Sequence, residues 1–479
     1  MHVVFREAQG LEETEIPMDL GQTPADLVVL SFSDSDLGAF SEGWKKEREG
    51  LPSLRLANLV ALKHPLSVDT YIDQTLSGAK GILIRLIGGV QYWEYGLNQV
   101  YQLAQENGIA LAVLPADGRE DTRLDKYSTI PKSTLQRLKK LTDTGGSKAA
   151  AAALAQLAIA AGLYAAPIIG DKSLPEVGYW SLEKGVVSEF VSSKNNQVVS
   201  IIFYRSFLAS EDMAAVERLS DAFVLLGYQV VGIFSPTLKN PKYGLWVQKA
   251  IEDLQPVAII NATSFSSKGA NGYSPLDIST APIFQVALST SNRKNWVDAC
   301  RGLSPTDLAM HVVLPEVDGK IFAGIVSTKE ATKKDQNLQY SRFIHSPLEE
   351  RVNQISVKID KWIKLQTKHK KEEVPKVALV LSTYPGKKWQ MAHAVGLDAI
   401  ASAAAVATDC SLTEIDLTNI PARLENEQIL WPVASYRDAL RTLPNKLKKM
   451  LTKAWGEPED DPDVVDNCFR FPAFKEGLS

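Results

Sequence analysis

Cysteine is scarce in this chain and is not paired: Cys300, Cys410 and Cys468 form no CxxC motif and no even framework. That pattern fits a reducing cytoplasm. No G-x-x-x-x-G-K-[ST] run occurs, and SKGANG at 267–272 lacks the strand-to-helix setting of a phosphate loop, so ATP binding by this chain is not expected. The nucleophile elbow G-x-S-x-G and the zinc motif H-E-x-x-H are also missing, which weighs against hydrolase and metalloprotease readings. Basic charge is not in excess, since 52 Lys and Arg face 56 Asp and Glu for a net charge of −4. A nucleic-acid or anionic-membrane binder would be basic. The opening MHVVFREAQG lacks the basic-then-apolar layout of a signal peptide.

Ala149–Gly170 carries no charged residue and is long enough to cross a bilayer. Its apolarity comes mainly from alanine, Gln156 interrupts it, and Pro167 and Gly170 break its end. A packed globular helix is expected, with Ser147 as its N-cap, and no membrane span.

What is present is an ordinary soluble composition, 45% hydrophobic and 23% charged over 479 residues, enough for about three domains. Strand-like runs alternate with helical stretches. The strands are expected at Leu27–Phe32, Ile82–Leu86, Ala110–Leu114, Val199–Tyr204, Val230–Phe234, Val257–Ile260, Ile283–Leu288, His311–Leu314 and Val377–Leu381. Several are continuous Val/Ile/Leu runs, as in strands covered on both faces. The pattern predicts a multi-domain α/β protein of mostly parallel sheets covered by helices. A composition change over Pro175–Asn196 and the polar segment Thr328–Gln339 divide it into an N-terminal α/β head (1–185), a second α/β domain (197–328) and the start of a third (345–479). Within Pro347–Lys371, Leu348, Val352, Ile355, Ile359, Trp362 and Ile363 recur at three- and four-residue spacing, predicting an amphipathic helix that packs on the domain after it.

Four sets of residues attract chemical interest. Beyond the strand Val377–Leu381, a Pro-Gly turn leads to Lys387, Lys388, Trp389 and His393, with His393 expected in the first turn of a helix. Ligand crevices form outside the carboxyl ends of strands, so cations and an aromatic face there suit a planar, carboxylate-bearing ligand. A solvated loop explains the same residues. Glu316 and Asp318 follow His311 in HVVLPEVDGK, and carboxylates with imidazole suit a divalent first-row metal. Asp318-Gly319 as a simple chain reversal explains that spacing without a ligand, and His311 as a hydrogen-bonded core histidine is the plainer alternative to a ligand. Gly88 and Gly89 precede Tyr92, Trp93 and Tyr95, a set that lines a pocket or, more commonly, seats a helix on its sheet.

The stretch YPGKKWQMAHAVGLDAIAS resembles the signature of large subunits of aerobic cobaltochelatases, the CobN type, which are related to the magnesium-chelatase large subunit. FREAQGLEETEIPMDLGQ, IRLIGGVQYWEYGL, YRSFLASED, NATSF, PIFQVALS and RGLSPTDLAMHVVLPEVDGKI resemble the same family in the same order. The resemblance implies ATP-dependent insertion of Co(II), as substrate metal, into hydrogenobyrinic acid a,c-diamide in cobalamin biosynthesis, with ATP used by AAA+ partner subunits. Family members are far longer, and FRFPAFKEGLS only begins their next block, so the chain reads as an N-terminal portion whose catalytic residues are expected beyond Ser479. A non-catalytic head that docks partner subunits, and a magnesium-chelatase paralogue, are the alternatives.

Isothermal titration of Mg-ATP into the protein is expected to give no heat above dilution; a micromolar dissociation constant would contradict the missing phosphate loop.

Overall fold

The computed structural model describes residues 17–116, 120–168, 174–190, 196–269, 272–300, 302–369, 379–380, 393–394, 397–410 and 427–472. Two compact units are present, residues 1–372 and 373–479.

The first unit contains two sheets. Strands β1 (Leu27–Ser31), β2 (Leu54–Asn58), β3 (Gly81–Leu86) and β4 (Ala110–Pro115) form a parallel sheet in the order β2-β1-β3-β4. Every residue of the four strands is buried, which is why their sequences do not alternate. Helices α1 (Asp34–Lys46), α4 (Lys132–Thr144) and α5 (Ser147–Ala160) cover one face. Helices α2 (Pro65–Gln74) and α3 (Glu94–Asn107) cover the other. Strand β2 was not anticipated, because LRLAN carries Arg55 and Asn58 in buried positions.

The second sheet has eight strands in the order β12-β11-β10-β9-β7-β8-β5-β6. They are β5 (Gly178–Ser181), β6 (Gly185–Val187), β7 (Val198–Tyr204), β8 (Gln229–Ser235), β9 (Ala258–Asn261), β10 (Ile283–Leu288), β11 (Ile321–Ala331) and β12 (Phe343–Pro347). Strands β7 to β11 run parallel, while β12 and the β5–β6 hairpin join antiparallel at the two edges. The connections carry α6 (Arg205–Ala209), α7 (Ala214–Leu225), α8 (Pro241–Leu254), α9 (Arg293–Asp298), α10 (Pro305–Leu308) and α11 (Leu314–Val317), and α12 (Glu349–His369) follows β12. The amphipathic helix α12 is correctly located by its spacing but packs elsewhere than expected. Val352, Ile355, Ile359 and Ile363 lie in the core that α7 and the second sheet form before it in the chain.

Two further expectations change. The polar stretch Thr328–Gln339 is the end of β11 and a hairpin loop, in which Leu338 is fully buried and packs with Tyr340 into the core of the first sheet. His311–Leu314 is not a strand. Ser304 accepts a hydrogen bond from the Asp307 N–H (3.0 Å) and Pro305 opens the first turn, so the segment winds as a helix through α10, a wider π-turn at Ala309–Val313, and α11.

The alanine-rich segment forms α5, which begins at Ser147 with Gly146 as its N-cap, and its alanines serve close packing. Helix α1 crosses it so tightly that a Cβ on Gly43 would lie 2.3 Å from the Ser147 carbonyl oxygen and 2.9 Å from the Ala151 nitrogen. Among the described residues no helix is long and apolar enough to cross a membrane.

In the second unit, Asp398 caps a helix over Ala399–Asp409 by accepting from the Ile400 and Ala401 N–H groups. Strands Gln428–Pro432, Val464–Val465 and Cys468–Pro472 make a small antiparallel sheet beside helices Val433–Arg441 and Asn445–Trp455. Of the expected strand Val377–Leu381, only 379–380 lie within the described residues.

Gly43→Ala is expected to lower stability by about 1–3 kcal/mol in urea unfolding, because the added methyl meets backbone atoms that cannot rotate away. An unchanged midpoint would show that the helix crossing relaxes freely.

Candidate functional site

In the second sheet β7 lies between β8 and β9, so the chain leaves β7 on one side and returns on the other. A reversal of strand order opens a crevice at the carboxyl ends of the strands. A cavity of about 960 Å³ occupies that place. Its walls come from the segments following β7 (Tyr204, Phe207), β8 (Pro236–Lys239), β9 (Ala262–Ser267) and β10 (Leu288, Thr290), from Pro305 to His311, and from Lys329 and His345 of the β11–β12 pair.

The floor is braced by buried amides. Asn261 donates to Gln285 Oε1 (2.6 Å), Gln285 donates to the Thr263 carbonyl (2.7 Å), and the Thr263 hydroxyl donates to Asn261 Oδ1 (2.8 Å). Phe265 holds a left-handed backbone (φ 66°) and donates its N–H to the Met310 carbonyl at 2.7 Å. A bulky residue in that region carries strain of about 1–3 kcal/mol, and such positions gather at functional sites.

Four buried titratable side chains, Asp212, His311, Lys329 and His345, line the cavity. His311 lines it from the π-turn; its Nδ1 has no hydrogen-bond partner, and Nε2 is 4.0 Å from Asp307 Oδ1. Asp307 already accepts from the Ser289 hydroxyl (2.6 Å) and from the Thr290 N–H (2.9 Å) and hydroxyl (3.0 Å). Burial pushes the His311 imidazole down to about 4, with Asp307 opposing and His345 adding to the fall, so the ring is neutral at pH 7. His345 donates its backbone N–H to Asp212 Oδ1 (2.8 Å) and pairs through ring Nδ1 with Asp212 Oδ2 (2.7 Å), while its ring meets Phe207 edge-on. Burial alone would raise the Asp212 carboxyl, but the His345 contacts and Lys329 hold it at about 2. Lys329 stands opposite His345 across the β11–β12 ladder, and its ammonium lies 3.7 Å from Asp34 Oδ2.

Of the metal candidates, only His311 reaches the cavity. Glu316 is exposed on α11. Asp318 accepts from the Ser266 hydroxyl (2.7 Å), the Ser267 N–H (2.6 Å) and hydroxyl (3.1 Å), and pairs with Lys320 Nζ at 3.3 Å. It therefore clamps the loop that forms one wall. A turn does form at Asp318-Gly319, with Gly319 at φ 85°, but it closes a helix and does not join two hairpin strands. Among the described residues no group of three His, Cys, Asp or Glu side chains is arranged for a metal. Lys387, Lys388 and Trp389 lie outside the described residues. His393 belongs to a short strand paired with Leu397–Asp398, and the helix begins only at Ala399. In the aromatic set, Trp93 is buried and donates to the Leu62 carbonyl (2.7 Å), seating α3 on its sheet, whereas Tyr92 is exposed.

Asp212, Lys329 and His345 were not anticipated. The local signal was slight: an acidic pair in LASED, a lysine in a polar run, and a lone histidine in FIHSP.

Residues 144–477 match the family model described as CobN/Magnesium Chelatase. The whole chain is similar to the aerobic cobaltochelatase subunit CobN of a Sinorhizobium species (31% identity) and of Pseudomonas aeruginosa (28% identity), in each case spanning 40% of the relative. The chloroplastic magnesium-chelatase subunit ChlH of rice, Oryza sativa subsp. indica, is 23% identical over 51% of this chain and 18% of its own length. Among solved structures, the catalytic subunit of cobaltochelatase from Mycobacterium tuberculosis shares the fold over 94% of this chain and 38% of its own, with TM-score 0.55 and 21% identity.

The buried His311 predicts a pH effect. Its folded value, about 4, lies below its ordinary 6.5. The unfolded chain therefore takes up the proton first, and stability is complete above 6.5 and lost as pH falls toward 4. Asp212 acts lower, its contribution being lost between its ordinary value of 3.8 and about 2. Between pH 7 and 5, wild type is expected to lose about 2 kcal/mol more than His311→Gln in urea unfolding. Equal losses would place a charged imidazole in the fold.

Proposed function

This chain belongs to the CobN/magnesium chelatase family, and we propose that it is the N-terminal part of the large subunit of an ATP-dependent cobalt chelatase. The substrates are Co(II) and hydrogenobyrinic acid a,c-diamide, on the route to cobalamin, and AAA+ partner subunits hydrolyse the ATP. The observation that carries the cobalt reading is similarity along the entire chain to two cobaltochelatase subunits, where the magnesium enzyme's subunit matches only about half of it. The chain spans 40% of those relatives, and the groups that exchange ring N–H protons for the metal are assigned to the part it does not span.

Within this chain, two surfaces are assigned to the tetrapyrrole. One is the second-sheet cavity, whose mixed lining of aromatic and aliphatic residues with hydroxyl and charged side chains suits a large ring with acidic side arms. The other is the loop bearing Lys387, Lys388, Trp389 and His393, where the lysines pair with ring carboxylates and Trp389 covers an apolar edge. The division of labour with ATPase subunits agrees with a chain that has no phosphate loop.

Cobalt insertion, followed by the absorbance of the tetrapyrrole, is expected from a large subunit carrying this segment together with partner subunits and ATP, and not from this chain alone. Insertion of Mg(II) into protoporphyrin with no cobalt activity would overturn the reading. In the same large subunit, Lys388→Ala and His393→Ala are each expected to weaken tetrapyrrole binding roughly ten- to hundred-fold by fluorescence quenching. Affinities within about two-fold of wild type would make that loop structural.

A further inference from the structure

We propose that Lys329 is the carboxylate-recognising residue of the second-sheet cavity, which takes an apolar, ring-bearing ligand by one acidic side arm. Lys329 is only 7% exposed, yet among the described residues its ammonium makes no hydrogen bond. Its one ion-pair contact, at 3.7 Å to Asp34 Oδ2, is too long for a hydrogen bond. Its ammonium, set beside the Asp34 and Asp212 carboxylates, keeps N–H donors free for a ligand.

The nearby acids explain why Lys329 is left over. Asp34 accepts from Asn58 Nδ2 at 2.8 Å and sits in the first turn of α1, where the helix dipole stabilises its charge. Asp212 is engaged twice by His345. Each carboxylate thus takes its hydrogen bonds from another donor while Lys329 acts on both through charge alone, and Lys329 lines the cavity.

The chemistry of the lining selects the ligand class. Phe207, Leu238, Phe265, Leu288 and Met310 supply apolar and aromatic surface around that single buried cation. Among the described residues no arginine lines the cavity, so the forked donor set that favours phosphate is missing from them, whereas a point-like ammonium serves one carboxylate. Identifying the natural ligand as a tetrapyrrole acid rests on the function proposed above; the assignment of Lys329 rests on the cavity.

The probe is 1-pyrenebutyric acid compared with its uncharged primary amide, by pyrene fluorescence on the whole chain. Wild type is expected to bind the acid at least about tenfold more tightly than the amide. Lys329→Met should bring the two within about two-fold, while Lys239→Met, at the cavity rim, should keep the preference. A readout that needs no variant is acylation of wild type by the N-hydroxysuccinimide ester of the same acid. Label at Lys329 that excess free acid blocks supports the proposal; label only at other lysines overturns it. Equal binding of acid and amide by wild type, a preference that survives in Lys329→Met, or no binding of either probe overturns it too. If the acid preference holds but hydrogenobyrinic acid a,c-diamide does not bind, Lys329 stands as the carboxylate site and the tetrapyrrole reading fails.

Discussion

The seating of the β11–β12 hairpin on the first sheet is the contact on which the first unit depends. β11 runs for eleven residues, well past the end of β10, and its loop leaves the second sheet altogether. Leu338 and Tyr340 enter the core of the first sheet, Arg55 donates to the Asn337 carbonyl (2.7 Å), and Gln22 donates to the Gln339 carbonyl (3.0 Å). At the base of the same hairpin, Arg342 joins Glu42 of α1 to the Ser210 carbonyl after α6. Apolar burial supplies the driving force and the side-chain hydrogen bonds to backbone carbonyls set the register, so the two sheets are held in one arrangement.

That arrangement decides the electrostatics of the cavity. Lys329 and His345 form a cross-strand pair at the foot of the hairpin, Asp34 comes from the start of α1 on the first sheet, and Asp212 from the turn after α6. None of these groups is near another in sequence. Each acid accepts hydrogen bonds and also faces the charge of Lys329, which keeps buried charge tolerable. His311 solves the same problem by staying neutral. The result is a large cavity that sets aromatic and aliphatic surface beside charged and hydroxyl side chains, a lining suited to an amphipathic ligand.

Family membership and cavity geometry bear on different parts of the question. Similarity along the chain shows the family to which it belongs, and a solved cobaltochelatase subunit shares its fold. A fold alone hosts many chemistries, so the residue assignments rest on the site itself.

Much of the architecture could be read from residue order. Continuous Val/Ile/Leu runs located most parallel strands within a residue or two, because burial on both faces leaves no polar alternation to confuse them. β2 and β11 escaped, since Arg55 and Asn58 break the apolar run in one and the buried Ser327, Thr328 and Lys329 break it in the other. HVVL read as a strand although Ser304 and Pro305 announce a helix just before it; the capping hydrogen bond outweighed β propensity. The family resemblance and the absent phosphate loop were likewise legible, being properties of contiguous residues. Tertiary structure alone decided that a polar lysine-rich stretch would plug a core, that Lys329 would be buried without a hydrogen-bond acceptor, and that His345 would find Asp212. Those outcomes depend on which distant surfaces meet, and sequence spacing carries no record of distance through space.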